Sequence, residues 1–196
     1  MRTLWVLVFS FIFSFSTFAQ WGAKGGMNIS DIAGYNNVSE NMISAHFGAT
    51  YDYQLSKDWF FQPALLFTTI GFNLKDDKFL IKDGHVKMHA LEVPFNLSFR
   101  PKVVKNIRLL TEFGLYTRYA LTGNKVYEYY SDIDSPNIDE SPFDAYNRFD
   151  FGFNLGLGVQ QKQYYGIFSY HRGLLKAEKN VSVYHEVLRC SVGYIF

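Results

Sequence analysis

Ser169 and His171 stand two residues apart, so on an extended strand the hydroxyl and the imidazole leave the same face. Together they are the minimum for nucleophilic acyl transfer, a hydroxyl with a base beside it. His85 and His89 also share a face, but four residues of extended chain hold them too far apart to chelate one ion easily. Between Val126 and Tyr146 lie Glu128, Asp132, Asp134, Asp139, Glu140 and Asp144 with no basic residue among them. Calcium favours such oxygen donors, yet the spacing does not match an EF-hand, and a solvated, mobile surface loop is the better account. Its tyrosines, Tyr127, Tyr129, Tyr130 and Tyr146, are adaptable contact material. Cys190 is the single cysteine, which excludes an intramolecular disulfide and a cysteine-rich zinc site. No metal or cofactor is expected.

A different set of charges recurs at alternate positions: Lys24, Asp52, Glu92, Arg100, Glu112, Arg118, Arg148, Asp150, Arg172 and Arg189. The elements that carry them read with the period of two that belongs to strands. In 149–160, Phe149, Phe151, Phe153, Leu155, Leu157 and Val159 alternate with Asp150, Gly152, Asn154, Gly156, Gly158 and Gln160. In 91–100, Leu91, Val93, Phe95, Leu97 and Phe99 alternate with Glu92, Pro94, Asn96, Ser98 and Arg100. One set is bulky and free of charge over about ten residues, the length of a tilted strand crossing hydrocarbon. The other mixes glycine with charged and amide side chains, as the interior of a narrow barrel does. A soluble barrel or sandwich would need the polar set outside, and that set is short of Lys and Glu for such a surface.

Eight such segments are expected, at 21–30, 42–55, 59–73, 85–99, 107–121, 148–160, 164–175 and 186–196. The predicted architecture is an all-β, eight-stranded antiparallel up-and-down transmembrane β-barrel, closed because lipid cannot satisfy a bare strand edge. Connections alternate between short turns, as at Ser56–Asp58 and Gln161–Gln163, and long loops, which places the long loops outside and the turns in the periplasm. Trp21, Tyr51, Tyr53, Trp59, Phe61, Tyr165, Tyr194 and Phe196 then fall at the inner rim as an aromatic girdle. Phe60-Phe61 and Tyr164-Tyr165 break the alternation, which a bulge or an aromatic patch of lumen would explain.

The first 19 residues differ in composition. Arg2 is their only charge, an apolar run extends from Leu4 to Phe15, and Thr17-Phe18-Ala19 offers small residues to a signal peptidase. Residues 1–19 are expected to be a secretory signal and 20–196 the barrel domain, exported to the cell outer membrane. A formal net charge of +1 gives no electrostatic reason to expect nucleic acid as a partner; the surrounding partner is outer-membrane lipid.

The last strand, Leu188 to Phe196, resembles the C-terminal signature of bacterial outer-membrane proteins, with a terminal Phe196 and Tyr194, Val192, Cys190 and Leu188 at alternate positions inward. That resemblance implies recognition of Tyr194 and Phe196 by the barrel assembly machinery. The mature chain is also similar to the PorT-like outer-membrane barrels of Bacteroidetes, in Lys24-Gly25-Gly26-Met27-Asn28-Ile29-Ser30, Gln62-Pro63-Ala64-Leu65-Leu66, Leu91-Glu92-Val93-Pro94-Phe95 and Gly156-Leu157-Gly158. Members often carry an acidic residue after the proline of the third strand, where this chain has Ala64. The resemblance implies a non-enzymatic barrel, with a surface ligand or a partner in type IX secretion as the interaction to look for.

An eight-stranded interior is about filled by side chains, so the lumen charges must pair. Glu92 and Glu112 are expected to pair across the lumen with Lys24 and Arg189, and Arg118 with Asp150 between neighbouring strands, as a structural plug. The leading function is a structural or interaction role through the outer loops. The alternative is a lipid-modifying enzyme: some small outer-membrane barrels deacylate lipid A with a His–Ser pair on the lipid-facing wall, and Ser169 with His171 is the candidate here.

Overall fold

A computed structural model describes residues 19–34, 39–74, 81–129 and 138–196. The expected signal segment lies outside the described residues up to position 18, and Ala19 already begins the first strand. Eight long strands run in chain order: β1 (Ala19–Ala33), β2 (Ser39–Gln54), β3 (Trp59–Leu74), β4 (Ile81–Phe99), β6 (Ile107–Tyr129), β8 (Phe149–Gln161), β9 (Tyr164–Gly173) and β10 (Tyr184–Ile195). Two short pieces attach to β6: β5 (Lys102–Val104) at the turn end and β7 (Ile138–Glu140) at the loop end. Each long strand pairs antiparallel with its neighbours in sequence, and β1–β10 together with β4–β6 close the ring. The expected eight-stranded antiparallel barrel is therefore the fold.

The wall is built as the alternation requires. Leu155, Leu157 and Val159 on β8 are exposed, while Asp150, Gly152 and Asn154, at the opposite parity, are buried. Phe95 and Leu91 on β4 face out, and Glu92, Asn96 and Ser98 face in. At the turn end Trp21 packs edge-on against Tyr51 at 5.1 Å, Trp59 tilts against Phe99 at 4.8 Å, and Tyr194 sits between Tyr164 and Phe196. This is the interfacial girdle, with one correction. Tyr165 belongs to the lumen, buried over Gly193, where a Cβ would overlap its ring. Phe60 likewise points inward beside Arg100. The pairs Phe60-Phe61 and Tyr164-Tyr165 thus keep strict alternation, and the aromatic patch of lumen is what they record.

Toward the loop end the two faces exchange character. Above Ala90 on β4, Met88 and Val86 point in and are fully buried, while Lys87 and His85 point out. On β3, Ile70 and Phe72 are buried, with Asn73 partly exposed beyond them; on β10, Val187 is buried and Glu186 is outside. The barrel wall has left the hydrocarbon there and behaves as a soluble sheet, greasy side inward. A register shift between His89 and Ala90 marks the change on the β4–β6 ladder.

The resulting inner cluster, Ile32, Ile70, Phe72, Val86, Met88, Ala120 and Val187, is closed by Tyr146, Ala177 and Val183 from the loops. A short 3-10 turn, Pro142–Asp144, brings Tyr146 down, and a bridge from Tyr146 to Glu178 ties the two loops together. The expectation of a wholly solvated loop from Val126 to Tyr146 is corrected at both ends. β6 runs on to Tyr129, eight residues beyond its expected end at 121, and Tyr146 is core; residues 130–137 lie outside the described residues.

Candidate functional site

Glu92 is the hub of the lumen. It pairs in register with Arg118 on β6, which pairs in turn with Asp150 on β8, so three neighbouring strands carry an acid–base–acid row. Arg118 donates through Nε to Glu92 Oε2 at 2.9 Å, lies 2.7 Å from it through Nη2, and reaches Asp150 Oδ2 through Nη1 at 3.1 Å. From the opposite wall Arg189 donates to Glu92 Oε1 at 2.6 Å and Oε2 at 2.8 Å, and to the Thr68 hydroxyl at 3.3 Å. Glu92, Arg118, Asp150 and Arg189 are all buried. Two carboxylates and two guanidiniums leave the row neutral, as burial demands. Tyr116 adds its hydroxyl to Asp150 at 3.2 Å, its ring lying 4.7 Å from the Arg118 guanidinium.

A second level lies nearer the turns. Lys24 Nζ stands 3.5 Å from Glu112 Oε2, and Asn96 donates to the same oxygen at 3.1 Å while accepting from Asn154 at 2.9 Å. Lower still, Arg100 grips Asp52 with both Nη groups, Gln62 donates to the other side of that carboxylate, and Ser98 accepts from Arg100 Nε at 2.9 Å. The structure thus brings Lys24, Glu92, Glu112, Arg118, Asp150 and Arg189 together as cross-lumen and neighbour-strand pairs. Two charges assigned inward from sequence do not belong. Arg148 is exposed, stacked 3.6 Å over the Phe143 ring and bonded to the Ala120 and Leu121 carbonyls. Arg172 is on the outer face, paired with Glu186, to which Tyr170 also donates at 2.8 Å. Both sit at the loop end, where the outer face is wet and a charge no longer reports the lumen.

Sequence reading missed the neutral links. Asn28 donates to Thr68 Oγ1 at 3.0 Å and to the Thr69 carbonyl at 2.9 Å. His46 spans Asn28 Oδ1 at 2.7 Å and Ser191 Oγ at 2.9 Å. Their inward parity was legible, their partners were not, since those depend on register across several strands.

Ser169 Oγ lies 3.1 Å from His171 Nε2, and His171 Nδ1 lies 3.8 Å from Glu92 Oε1. The order hydroxyl–imidazole–carboxylate resembles an acyl-transfer relay, but its third link exceeds hydrogen-bond length and Glu92 is occupied by two guanidiniums. Ser169 and His171 are buried in the lumen wall, away from the lipid-facing side where an acyl ester would arrive. His85 and His89 share the outer face, and His89 Nδ1 meets Thr69 Oγ1 at 2.9 Å. Among the described residues no three His, Cys, Asp or Glu side chains converge as metal ligands. The acidic loop considered for calcium falls largely outside the described residues. At the C-terminal end Tyr194 and Phe196 meet at 5.3 Å in the girdle, with Phe196 largely exposed.

Residues 14–175 match the family described as outer membrane protein beta-barrel domain. No curated protein matches the sequence. Among solved structures, the attachment invasion locus protein Ail of Yersinia pestis aligns at 17% identity, covering 91% of this chain and 97% of that one, with a TM-score of 0.46. Neisserial surface protein A aligns at 9% identity over 92% and 98%, TM-score 0.48. A major outer membrane protein of Thermus thermophilus aligns at 8% identity over 91% and 99%, TM-score 0.48.

Proposed function

Because the chain belongs to the outer membrane protein beta-barrel domain family, we propose that it is a closed, non-enzymatic barrel of the outer membrane that works through its outer end. The observation that carries this reading is the double closure of the lumen. Interlocked ion pairs fill the middle, and the Phe72–Met88–Tyr146 cluster fills the loop end. A solute would have to separate Glu92 from two guanidiniums and then displace an apolar plug, so transport is not what this interior favours. What remains available for recognition is the wall above the membrane: the extended β4–β6 ribbon, β7 and the loops folded over the mouth. The similarity to PorT-like barrels makes a type IX secretion assembly the first partner class to test, with a surface ligand second. Export by residues 1–19, and capture of Tyr194 and Phe196 by the barrel assembly machinery, complete the proposed life history.

The test has three readouts. In planar bilayers the purified protein is expected to give no unitary conductance; a stable open level would overturn the closed-barrel reading. Cells with and without the protein should show the same lipid A mass, and a lost acyl chain that returns with Ser169→Ala would favour the enzyme alternative. Cross-linking from Tyr127 in native membranes should capture a secretion component, where a lipid-facing site such as Leu157 should not.

A further inference from the structure

At the turn end the lumen opens into a cavity of about 370 Å³ whose wall carries Arg100, Lys102, Lys105, Arg108 and Lys162 with a single carboxylate, Asp52. We propose that this cavity is a binding site for a phosphate monoester or diester that carries a free hydroxyl.

The charge count is the first support. Asp52 is fully engaged by Arg100 and Gln62, so that floor is neutral. The other four cations have no acidic partner among the described residues. Every buried charge row above them is balanced, and the whole chain carries only +1, so the surplus is local to this mouth. Gathering like charges around one concavity is unfavourable unless an anion completes it.

The second support is geometric. The Phe60 ring lies in the cavity wall with the Arg100 guanidinium 4.6 Å and the Arg108 guanidinium 5.9 Å from its centre. The Arg100 N–H edge is spent on Asp52 and Ser98, whereas Arg108, beside the same ring, keeps its N–H groups for two oxygens of one phosphate. Lys102, Lys105 and Lys162 stand on the exposed rim as point charges able to reach the remaining oxygens.

The third support is an unmet acceptor. Gln160 donates through Nε2 to the Lys162 carbonyl at 2.9 Å. Its Oε1 is buried and has no hydrogen-bond partner in the described residues. That oxygen is shielded from the open cavity, so a ligand hydroxyl next to the phosphate would satisfy it as the Gln160 amide turns toward the bound group, and an all-oxygen inorganic anion would not.

Two sources offer this chemistry: a glycerol-type phospholipid headgroup folding in over the rim, and a free sugar or polyol phosphate from the adjoining aqueous compartment. The full barrel, extracted from membranes into neutral detergent, should bind glycerol 3-phosphate saturably by calorimetry, more weakly as salt rises. Arg108→Gln and Lys105→Gln should each weaken binding by about tenfold. Lys57→Gln, on a neighbouring turn outside the cavity, should leave it unchanged. Lys105 is on an exposed turn, so its variant carries the test even if Arg108→Gln fails to fold. In phosphatidylcholine nanodiscs, binding that survives added phosphatidylglycerol assigns a soluble ligand, and binding abolished by it assigns the headgroup; both outcomes support the site. Absence of saturable binding in detergent would overturn the proposal. So would equal loss with Lys57→Gln, which would mean diffuse charge attraction.

Discussion

Replacing Glu92 by glutamine keeps the shape of the lumen hub and removes its charge. In the native row Glu92 and Asp150 balance Arg118 and Arg189, with four contacts of 2.6–2.9 Å converging on Glu92. The amide would leave two guanidiniums facing one carboxylate, with a single carbonyl oxygen at position 92 to accept from both and an NH2 group opposed to their donors. Removing one partner of a fully buried pair costs about 3–5 kcal/mol, because the stranded charge cannot reach water. With a urea slope of about 2 kcal/mol per M, the unfolding midpoint should fall by roughly 2 M. Trp21 and Trp59, in the girdle, report unfolding by fluorescence in neutral detergent. The decisive control is Glu92→Gln combined with Arg189→Met, which restores one cation to one anion. It should be more stable than the sum of the single losses by about 1–3 kcal/mol. A midpoint change below about 0.5 M for Glu92→Gln at unchanged slope, or strict additivity in the double variant, would refute the idea of a charge-balanced hub.

Gly193→Ala should destabilise the barrel by about 1–3 kcal/mol in the same urea assay, since the added methyl overlaps the Tyr165 ring. Tyr165→Leu in that background should recover part of the loss. Tyr146→Ala should cost about 3–5 kcal/mol locally, loosening the plug and freeing the backbone around the exposed Arg148 for trypsin, with cleavage there read by mass spectrometry. Cys190, exposed on the outer wall between Arg189 and Ser191, should react in liposomes with a lipid-soluble maleimide and resist a charged, membrane-impermeant one. Ready labelling by the charged reagent would place that face in water and overturn the barrel's assigned outside.

The sequence was most legible where the two faces of a strand differ most in chemistry. On β8 the lipid side is Phe, Leu and Val and the lumen side is Asp, Gly and Asn, so period two gave both the strand and its orientation. Arg118 with Asp150, and the meeting of Glu92 and Glu112 with Lys24 and Arg189, followed because eight strands close a small ring; which acid takes which base needed the register. Aromatic residues were harder, since a tyrosine suits both a girdle and a filled interior. Tyr165 was placed wrongly for that reason, although its parity with Ile167 and Ser169 pointed inward. Arg148 and Arg172 were misplaced because charge indicates the lumen only at the depth of the hydrocarbon. The apolar plug was written in Val86, Met88, Ile70 and Phe72, with Lys87 and His85 between and beside the first pair, but it needed the change of surroundings at Ala90 to be noticed. The links from Asn28 to Thr68 and from His46 to Ser191 join residues far apart in sequence, and no local pattern encodes them.

The exchange of faces near Ala90 also sets how deep the molecule can sit. Lys87, Glu186 and Arg172 form an outward charged collar just above Leu91 and Leu188, while Trp21, Trp59 and Tyr194 hold the opposite edge. Sinking by one pair of residues, about 7 Å along a strand, would drag that collar into oil. Rising by as much would strand Leu91 and Leu188 in water. A bilayer of a different thickness must therefore stretch or thin around this barrel, because the barrel has no second resting height.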